Sequence, residues 1–223
     1  MPLGGGAIAT LASGLSNAYA VAVAGGSAYW TDTASVSRVP SSGGVVAVLV
    51  SLAPPQTVAA MLAVDATNVY WVALGSQGGG CLFSVPVDGG APVALEAGCD
   101  PEGISPIAGI ATTNGHIFYT RSLIADSPLS GLLRVPTTGG VPTTLASHSS
   151  SSVSAPVVDA VHAYWQDGAC SSSGQGCQWL WRVPVGGGTS VALAQGATAP
   201  IALDATSVYW AGGGGSVVRL TPK

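Results

Sequence analysis

Several residues able to bind a ligand lie around one long loop of this 223-residue chain. Trp179 closes a serine- and glycine-rich stretch that begins after Asp167 and contains Gln175 and Gln178. A tryptophan ring can stack on a sugar or anchor a protein partner, and amide and carboxylate oxygens can accept hydrogen bonds from hydroxyl groups. We therefore predict a binding site at this loop. Further candidate contacts in other loops are Arg121, Asp100 and Glu102.

Signatures of catalysis are missing from the sequence. No Gly-x-Ser-x-Gly nucleophile elbow occurs, and we expect no catalytic role for the three histidines, His116, His148 and His162. The glycine runs lack the Lys-Ser/Thr of a phosphate loop. No dense acidic loop offers the six or more oxygens that calcium needs. We predict no catalytic residue, no metal site and no cofactor, with bound calcium as the alternative.

The four cysteines are an even number and fall outside the predicted strand cores, a usage that suits an oxidising compartment. The pairs Cys81–Cys99 and Cys170–Cys177 would each staple a long loop, although the sequence alone allows three connectivities. Zinc is the rival interpretation, but no Cys-x2-Cys spacing occurs. We predict two disulfides and a protein located outside the cell, in the periplasm or at the cell surface. The N-terminus lacks the basic region and apolar core of a signal peptide.

A repeat positions these residues. It is anchored by five aromatic pairs whose second members lie 41, 48, 46 and 45 residues apart, a period typical of four-stranded propeller blades. The pairs are Tyr29-Trp30, Tyr70-Trp71, Phe118-Tyr119, Tyr164-Trp165 and Tyr209-Trp210.

Each repeat predicts four strands, which we call a to d. Strands a and b flank a short turn and b carries the aromatic pair, while strand c ends in proline in the first four repeats and a Gly-Gly turn then leads into d. The fold class is therefore all-β, a single five-bladed β-propeller of antiparallel four-stranded blades over residues 1–223. The predicted blades span about 20–50, 60–97, 107–147, 154–195 and 200–223, the last completed by a strand at 6–13.

Strand d is missing after the fifth strand c, where the chain ends. The stretch from Gly4 to Gly14 repeats the Gly-Gly turn, strand d and Leu-Ala ending of the third blade. The N-terminal strand is therefore predicted to join the last blade and close the ring, which removes an open sheet edge.

The insertions fall on one face of the predicted propeller. From the second aromatic residue to the Arg or Ser of strand c are 8, 13, 15, 17 and 9 residues in blades 1 to 5, whereas the a–b and c–d turns stay nearly constant. The b–c and d–a connections share one face. Because loops on a rigid scaffold commonly carry binding residues, we expect a site on this face over blades 2 to 4.

The tetrapeptide Tyr29-Trp30-Thr31-Asp32 resembles the YWTD motif of the low-density-lipoprotein-receptor type propellers, and Tyr164-Trp165-Gln166-Asp167 is a near copy. The phrases Asp-Ala-Thr-x-Val-Tyr-Trp and Arg-Val-Pro-x-x-Gly-Gly look like bacterial extracytoplasmic propeller repeats. This resemblance implies an extracellular binding surface rather than an enzyme. The chain departs from the family in two respects. YWTD propellers usually have six blades, and only one of the five repeats in this sequence keeps the full tetrapeptide.

Composition narrows the function further. Charged residues are 7% of the chain and the net charge is -4, with no basic stripe to bind nucleic acid. Every apolar run is broken well before the length needed to insert into a membrane. We expect a monomeric, non-enzymatic binding module with a slight preference for carbohydrate. The alternatives are a protein–protein interaction scaffold of YWTD type and a propeller lyase or lactonase.

Overall fold

The computed structural model describes residues 7–52, 57–74, 79–96, 106–122, 131–147, 153–168, 178–213 and 215–223, without the side chains of 57–60 and 199. The described residues form strands and turns and contain no helix. Among them, accordingly, no helix is long and apolar enough to cross a membrane. The fold is all-β, as predicted.

The described residues form nineteen strands in five antiparallel sheets, which we number as blades 1 to 5. Blade 1 contains β1 (Ala20–Ala24), β2 (Ser27–Thr31), β3 (Ser35–Pro40) and β4 (Ala47–Ser51). Blade 2 contains β5 (Thr57–Val64), β6 (Asn68–Leu74), β7 (Gly80–Pro86) and β8 (Val93–Ala94). Blade 3 contains β9 (Ile107–Thr113), β10 (His116–Arg121), β11 (Gly131–Pro136) and β12 (Thr143–Ala146). Blade 4 contains β13 (Val157–Val158), β14 (His162–Asp167), β15 (Trp179–Pro184) and β16 (Val191–Gln195). Blade 5 contains β17 (Ala197–Leu203), β18 (Val208–Gly212) and β19 (Ser216–Leu220).

Within each sheet, strands consecutive in the chain are neighbours, and all pairs are antiparallel. The proline and Gly-Gly that end strand c build the same turn four times. In blade 1 the amide of Gly43 donates to the Pro40 carbonyl at 2.9 Å, and the φ angles of Gly43 and Gly44 are +86° and +141°. Such angles disfavour residues with a side chain, which explains the repeated glycines.

The aromatic pairs hold neighbouring blades together. The first aromatic of each pair and the second aromatic of the next pair lie in one buried cluster, as Tyr29 does with Trp71 and Tyr164 with Trp210. Four clusters of this kind fill the spaces between blades 1 and 2, 2 and 3, 3 and 4, and 4 and 5. The pairs are therefore packing residues, since successive strand residues point to opposite faces of the sheet.

The predicted closure of the ring is not confirmed. The structure assigns no strand to residues 7–13, and the described part of blade 5 is a three-stranded sheet in the order β17, β18, β19. Five sheets are described, but that these five alone make the complete propeller stays a prediction.

The prediction that all cysteines lie outside the strands is wrong for Cys81. Cys81 is the second residue of β7 and is buried. The reason is the length of the β6–β7 hairpin, whose pairing extends to Leu74 and Gly80. Cys99, Cys170 and Cys177 lie outside the described residues, so both disulfide pairings stay predictions.

Candidate functional site

Buried polar side chains are concentrated on one edge of the blades, the edge where strands b and d end and strand c begins. We call it the loop-bearing edge, because the three long b–c insertions start from it. Of the nine buried polar or charged residues described, six lie there. They are Thr31, Asp32, Glu96, Thr120, Gln166 and Asp167. Buried polar groups require partners, so this edge differs chemically from the apolar blade interfaces.

Three tryptophans form a ladder on one face of blade 4. The rings of Trp165 and Trp181 are stacked, with centroids 6.4 Å apart and planes 18° apart. Trp179 continues the series at 6.5 Å from Trp181, with its plane tilted by 49°. Trp165 is fully buried, whereas Trp179 is 37% exposed at the loop-bearing edge. The ladder thus presents one ring to solvent on a rigid base.

Trp179 differs from its prediction in one respect. It was expected at the end of a loop, but it is the first residue of β15 and pairs with Asp167 of β14. Because directly opposed residues of an antiparallel pair point to the same face, Asp167 lies beside the exposed end of the ladder. The Asp167 side chain is buried. Gln178 precedes Trp179, and its carbonyl accepts a hydrogen bond from the Gly196 amide at 2.8 Å.

The Arg121 side chain forms a buried ion pair instead of facing solvent. Its Nη2 donates to Glu96 Oε2 at 2.8 Å and Oε1 at 3.1 Å, and lies 3.3 Å from the Gly80 carbonyl oxygen. The guanidinium carbon is 5.6 Å from the centroid of the Tyr119 ring. Burial and the Glu96 carboxylate raise the pKa of the Tyr119 phenol. This arrangement ties blade 3 to blade 2 and engages Nη2 of Arg121 within the protein.

Glu96 was missed by the sequence reasoning, although a signal existed. Strand d ends in Leu-Ala in the third and fourth blades, at Ala146 and Ala194, while the second blade has Leu95-Glu96. At the position where blades 3 and 4 have alanine, blade 2 therefore has a charged residue, which indicates an electrostatic contact at this point instead of apolar packing. The partner at the end of the next strand b, Arg121, is the only arginine at its repeat position.

A shallow groove lies at the same edge between blades 4 and 5. Its volume is about 460 Å³, and its lining includes Gln195, Trp210, Gly212 and Ser216. A side chain at Gly212 would meet Ser216 Oγ at 2.6 Å and Val218 Cγ2 at 2.9 Å. Glycine at this position therefore keeps the start of the last hairpin compact.

The opposite edge repeats one turn in blades 2, 4 and 5. Asp65 Oδ1 accepts hydrogen bonds from the amides of Thr67 at 2.7 Å and Asn68 at 2.8 Å, while Oδ2 accepts one from the Tyr70 hydroxyl at 2.6 Å. Asp159 and Asp204 accept the equivalent pairs of amides. These three aspartates are therefore turn formers.

The hydrogen bonds at these turns change the pKa of the aspartates. For Asp65, burial alone would raise the pKa, but the bonds from Tyr70, Thr67 and Asn68 hold it below its ordinary value. For Asp204, the bonds from the Tyr209 hydroxyl and the Thr206 amide lower the pKa to about 2. A carboxylate held by so many donors is committed to its turn.

The structure brings Asp167, Gln178 and Trp179 together at blade 4 and places Arg121 apart from them at the interface of blades 2 and 3. Gln175, Asp100 and Glu102 lie outside the described residues. Among the residues that are described, no three His, Cys, Asp or Glu side chains form a group that could hold a metal ion.

Comparison with known proteins supports the fold. No family model matches the chain, and no curated protein sequence matches it. Among solved structures, a chain of a nidogen/laminin complex has a TM-score of 0.61 at 19% identity, covering 87% of this chain and 73% of that one. A TolB-type protein of Agrobacterium tumefaciens has a TM-score of 0.53 at 13% identity, covering 77% of this chain. An oligogalacturonate lyase in complex with manganese has a TM-score of 0.62 at 8% identity, covering 88%.

This chain spans 62% of the TolB-type protein and 62% of the lyase. The similarity is one of fold, and it supports the predicted resemblance to YWTD-type and other β-propeller repeat proteins at that level. These neighbours include both a binding complex and an enzyme, so the fold alone does not choose between the two classes.

Proposed function

We propose that this β-propeller is an exported, non-enzymatic binding module whose ligand contacts the loop-bearing edge of blade 4. The observation that carries the proposal is the exposed end of the tryptophan ladder. Trp179 offers a partly exposed ring at an edge where the neighbouring repeats place small residues, since its counterparts are Ser35, Cys81, Gly131 and Ser216.

The platform is preorganised. Trp179 is fixed by strand pairing to Asp167 on one side and Gln195 on the other, and by contact with Trp181 beneath it. A ring held in one orientation loses little conformational entropy when a ligand stacks on it. This is the reason to expect an anchor at Trp179 rather than at a side chain in a long loop.

The ligand class that fits best is a neutral glycan. Sugars present an apolar face to an aromatic ring and hydroxyl groups to carboxylate and amide groups, and here Asp167 and Gln178 are the neighbours of the ring. With charged residues at 7% of the chain, a surface of this kind has little to attract a strongly charged ligand.

A protein partner is the second candidate. It is favoured by the similarity of fold to a chain of the nidogen/laminin complex, and a partly exposed tryptophan is a common anchor in protein interfaces. An enzyme such as a lyase or lactonase ranks third, because the sequence offers no nucleophile elbow and the first strands of blades 1 and 2, β1 and β5, carry mostly apolar residues.

A glycan array with three proteins tests the proposal. We expect the wild type to bind a defined set of neutral glycans and Trp179→Ala to lose that binding. Tyr19→Ala is the matched control, since Tyr19 is another partly exposed aromatic residue, 48% exposed, in a different part of the chain. Circular dichroism establishes that each variant is folded.

Loss of binding in both variants, or in neither, would contradict the placement at Trp179. A wild type that binds no glycan in the array, but saturably binds a protein partner without competition from sugars, would replace the carbohydrate proposal with the protein-interaction one.

A further inference from the structure

Each of the four interfaces between described blades contains one pair of opposed residues, from strand b and strand c of the later blade. The strand b member is the second aromatic residue of the repeat, and the strand c member lies directly opposite it in the hairpin. The pairs are Trp71–Phe83, Tyr119–Leu133, Trp165–Trp181 and Trp210–Val218. Because directly opposed residues point to the same face of the sheet, the strand c side chain lies beside the strand b ring.

In two of these interfaces the strand c residue is a flat ring that covers the tryptophan. Phe83 is stacked on Trp71, with ring centroids 5.7 Å apart and planes 18° apart. Trp181 is stacked on Trp165 at the same angle, with centroids 6.4 Å apart. Trp71 and Trp165 are accordingly 1% and 0% exposed. The repeat therefore accommodates a second aromatic ring at this place.

Blade 5 has the tryptophan without the second ring. Val218 lies opposite Trp210, and Gly212 adds no side chain to the same face. The groove of about 460 Å³ between blades 4 and 5 lies here, a volume typical of small-molecule sites, and Trp210 is 7% exposed. The covering ring of blades 2 and 4 belongs to strand c. The opening over Trp210 therefore follows from Val218 and Gly212, not from an outer strand.

The lining of the groove is uncharged in the part that the structure describes. Ser216 Oγ donates to the Gly213 carbonyl at 3.3 Å, so the hydroxyl oxygen can still accept a hydrogen bond. The Gln195 side chain is exposed at the rim. The Gly196 and Gly213 amides already donate to the carbonyls of Gln178 and Gly196. An uncharged ligand with a hydrogen-bonding group suits this lining.

A buried amide faces the same interface from blade 4. Gln166 lies opposite Leu180, which belongs to the buried cluster that contains Trp210. The Gln166 side chain is buried, and neither its oxygen nor its nitrogen has a hydrogen-bond partner among the described residues. At the equivalent position of blade 3, Thr120 Oγ1 donates to the Ser154 carbonyl of the next blade at 2.7 Å. The interface of blades 4 and 5 therefore favours a ligand with a polar group over a purely apolar one.

We propose that the groove between blades 4 and 5 binds a small, uncharged aromatic ring that carries a hydroxyl group, such as a phenol. The ring lies flat on Trp210, in the place that Phe83 takes on Trp71. Its hydroxyl group bonds to polar groups of the lining, such as the Ser216 hydroxyl. The proposal does not rest on a glycan at Trp179, because Trp179 shares a face of blade 4 with Trp181, which packs toward blade 3.

Nuclear magnetic resonance of the indole N–H groups tests the proposal with phenol as the probe. The chain has six tryptophans, and the Trp210 signal is the one that a Trp210→Phe chain lacks. We expect phenol to shift this signal saturably in the wild type. Cyclohexanol, which has the hydroxyl group without the flat ring, should require a several-fold higher concentration. A Trp210 signal that does not shift saturably, or an equal effect of the two compounds, would overturn the proposal.

The variant Val218→Phe closes the groove with the residue that blade 2 uses. We expect it to fold, because Phe83 and Trp71 already pack in this way, and to lose the phenol-induced shift. Val141→Phe is the matched control, since it adds the same side chain at a valine of blade 3 that is 79% exposed, and it should keep the shift. A shift that persists in Val218→Phe would place the phenol elsewhere and contradict the proposal.

Two further measurements keep the test independent of that variant and of the glycan proposal. In the wild type, phenol ring protons should show intermolecular nuclear Overhauser effects to the Val218 methyl groups, and their absence would overturn the site. Trp179→Ala should keep the phenol-induced shift of Trp210 even where it loses glycan binding. A shift lost in Trp179→Ala would move the phenol to the loop-bearing edge of blade 4. The phenol site and the glycan site can thus fail separately.

Discussion

The two edges of the blades use the same kinds of residue for different purposes. At the edge opposite the insertions, Asp65, Asp159 and Asp204 each accept two successive backbone amides at 2.7 or 2.8 Å. At the loop-bearing edge, the position two residues after the aromatic pair differs in almost every blade. It holds Asp32, Ala73, Arg121, Asp167 and Gly212.

This contrast separates residues that the repeat needs from residues that it tolerates. A turn built the same way three times is set by backbone geometry, and its carboxylates are committed to it. A position that holds an acid, a base, an alanine or a glycine is not dictated by the blade. The residue at such a position can therefore serve a purpose particular to its blade. Arg121 forms an ion pair between two blades, and Asp167 lies beside Trp179.

The largest effect should come from breaking the ion pair at the loop-bearing edge. In Glu96→Ala the Arg121 guanidinium, buried between blades 2 and 3, loses its carboxylate. Leaving a buried charge unpaired typically costs about 3–5 kcal/mol of the free energy of unfolding. Chemical denaturation followed by tryptophan fluorescence measures this change.

The double variant Glu96→Leu/Arg121→Leu provides the control for the ion pair. Because it removes both charges together, it should recover most of the lost stability. A loss below about 1 kcal/mol in Glu96→Ala, within the range of exposed ion pairs, would mean that the pair is solvated and that Arg121 is available to a ligand.

A smaller effect is expected at the opposite edge. Asp65→Ala removes acceptors for the Thr67 and Asn68 amides and for the Tyr70 hydroxyl, and should reduce stability by about 1–2 kcal/mol. Asp88→Ala is the matched control. Its carboxylate pairs with Arg38, but its side chain is 84% exposed, so a change of about 0–0.5 kcal/mol is expected. Equal losses in the two variants would remove the distinction between a turn former and a surface pair.

The sequence was sufficient for most of the fold, because each blade repeats the same local signals. The aromatic pairs, the proline at the end of strand c and the Gly-Gly turn each correspond to one structural element, and nearly every predicted strand is present. The prediction that Cys81 lies outside a strand was wrong because it depended on the length of one hairpin. The pairing of β6 with β7 extends to Gly80 and so includes Cys81 in the strand.

The candidate site was less predictable, because its contacts join residues distant in the chain. Trp179 stood out as a large ring at a position of small residues, but because it was expected in a loop its strand pairing with Asp167 was not predicted. The ion pair of Arg121 with Glu96 joins residues 25 apart in different blades, and neither flanking sequence specifies the distance between them.

Acid titration should give the smallest effect and tests the uniformity of the aspartate turns. The pKa of Asp204 is lowered from 3.8 to about 2 by the Tyr209 hydroxyl and backbone amides, and those of Asp65 and Asp159 are also lowered. A carboxylate whose pKa is lowered by folding contributes its full stabilisation above pH 3.8, and the contribution is lost as the pH falls toward about 2. The midpoint of urea denaturation should therefore fall through this window. In Asp204→Asn, which cannot ionise at this turn, the midpoint should be lower at neutral pH and fall less on acidification. Since Asp204 is exposed, a neutral-pH change as large as that of Glu96→Ala would contradict the ranking of the two edges.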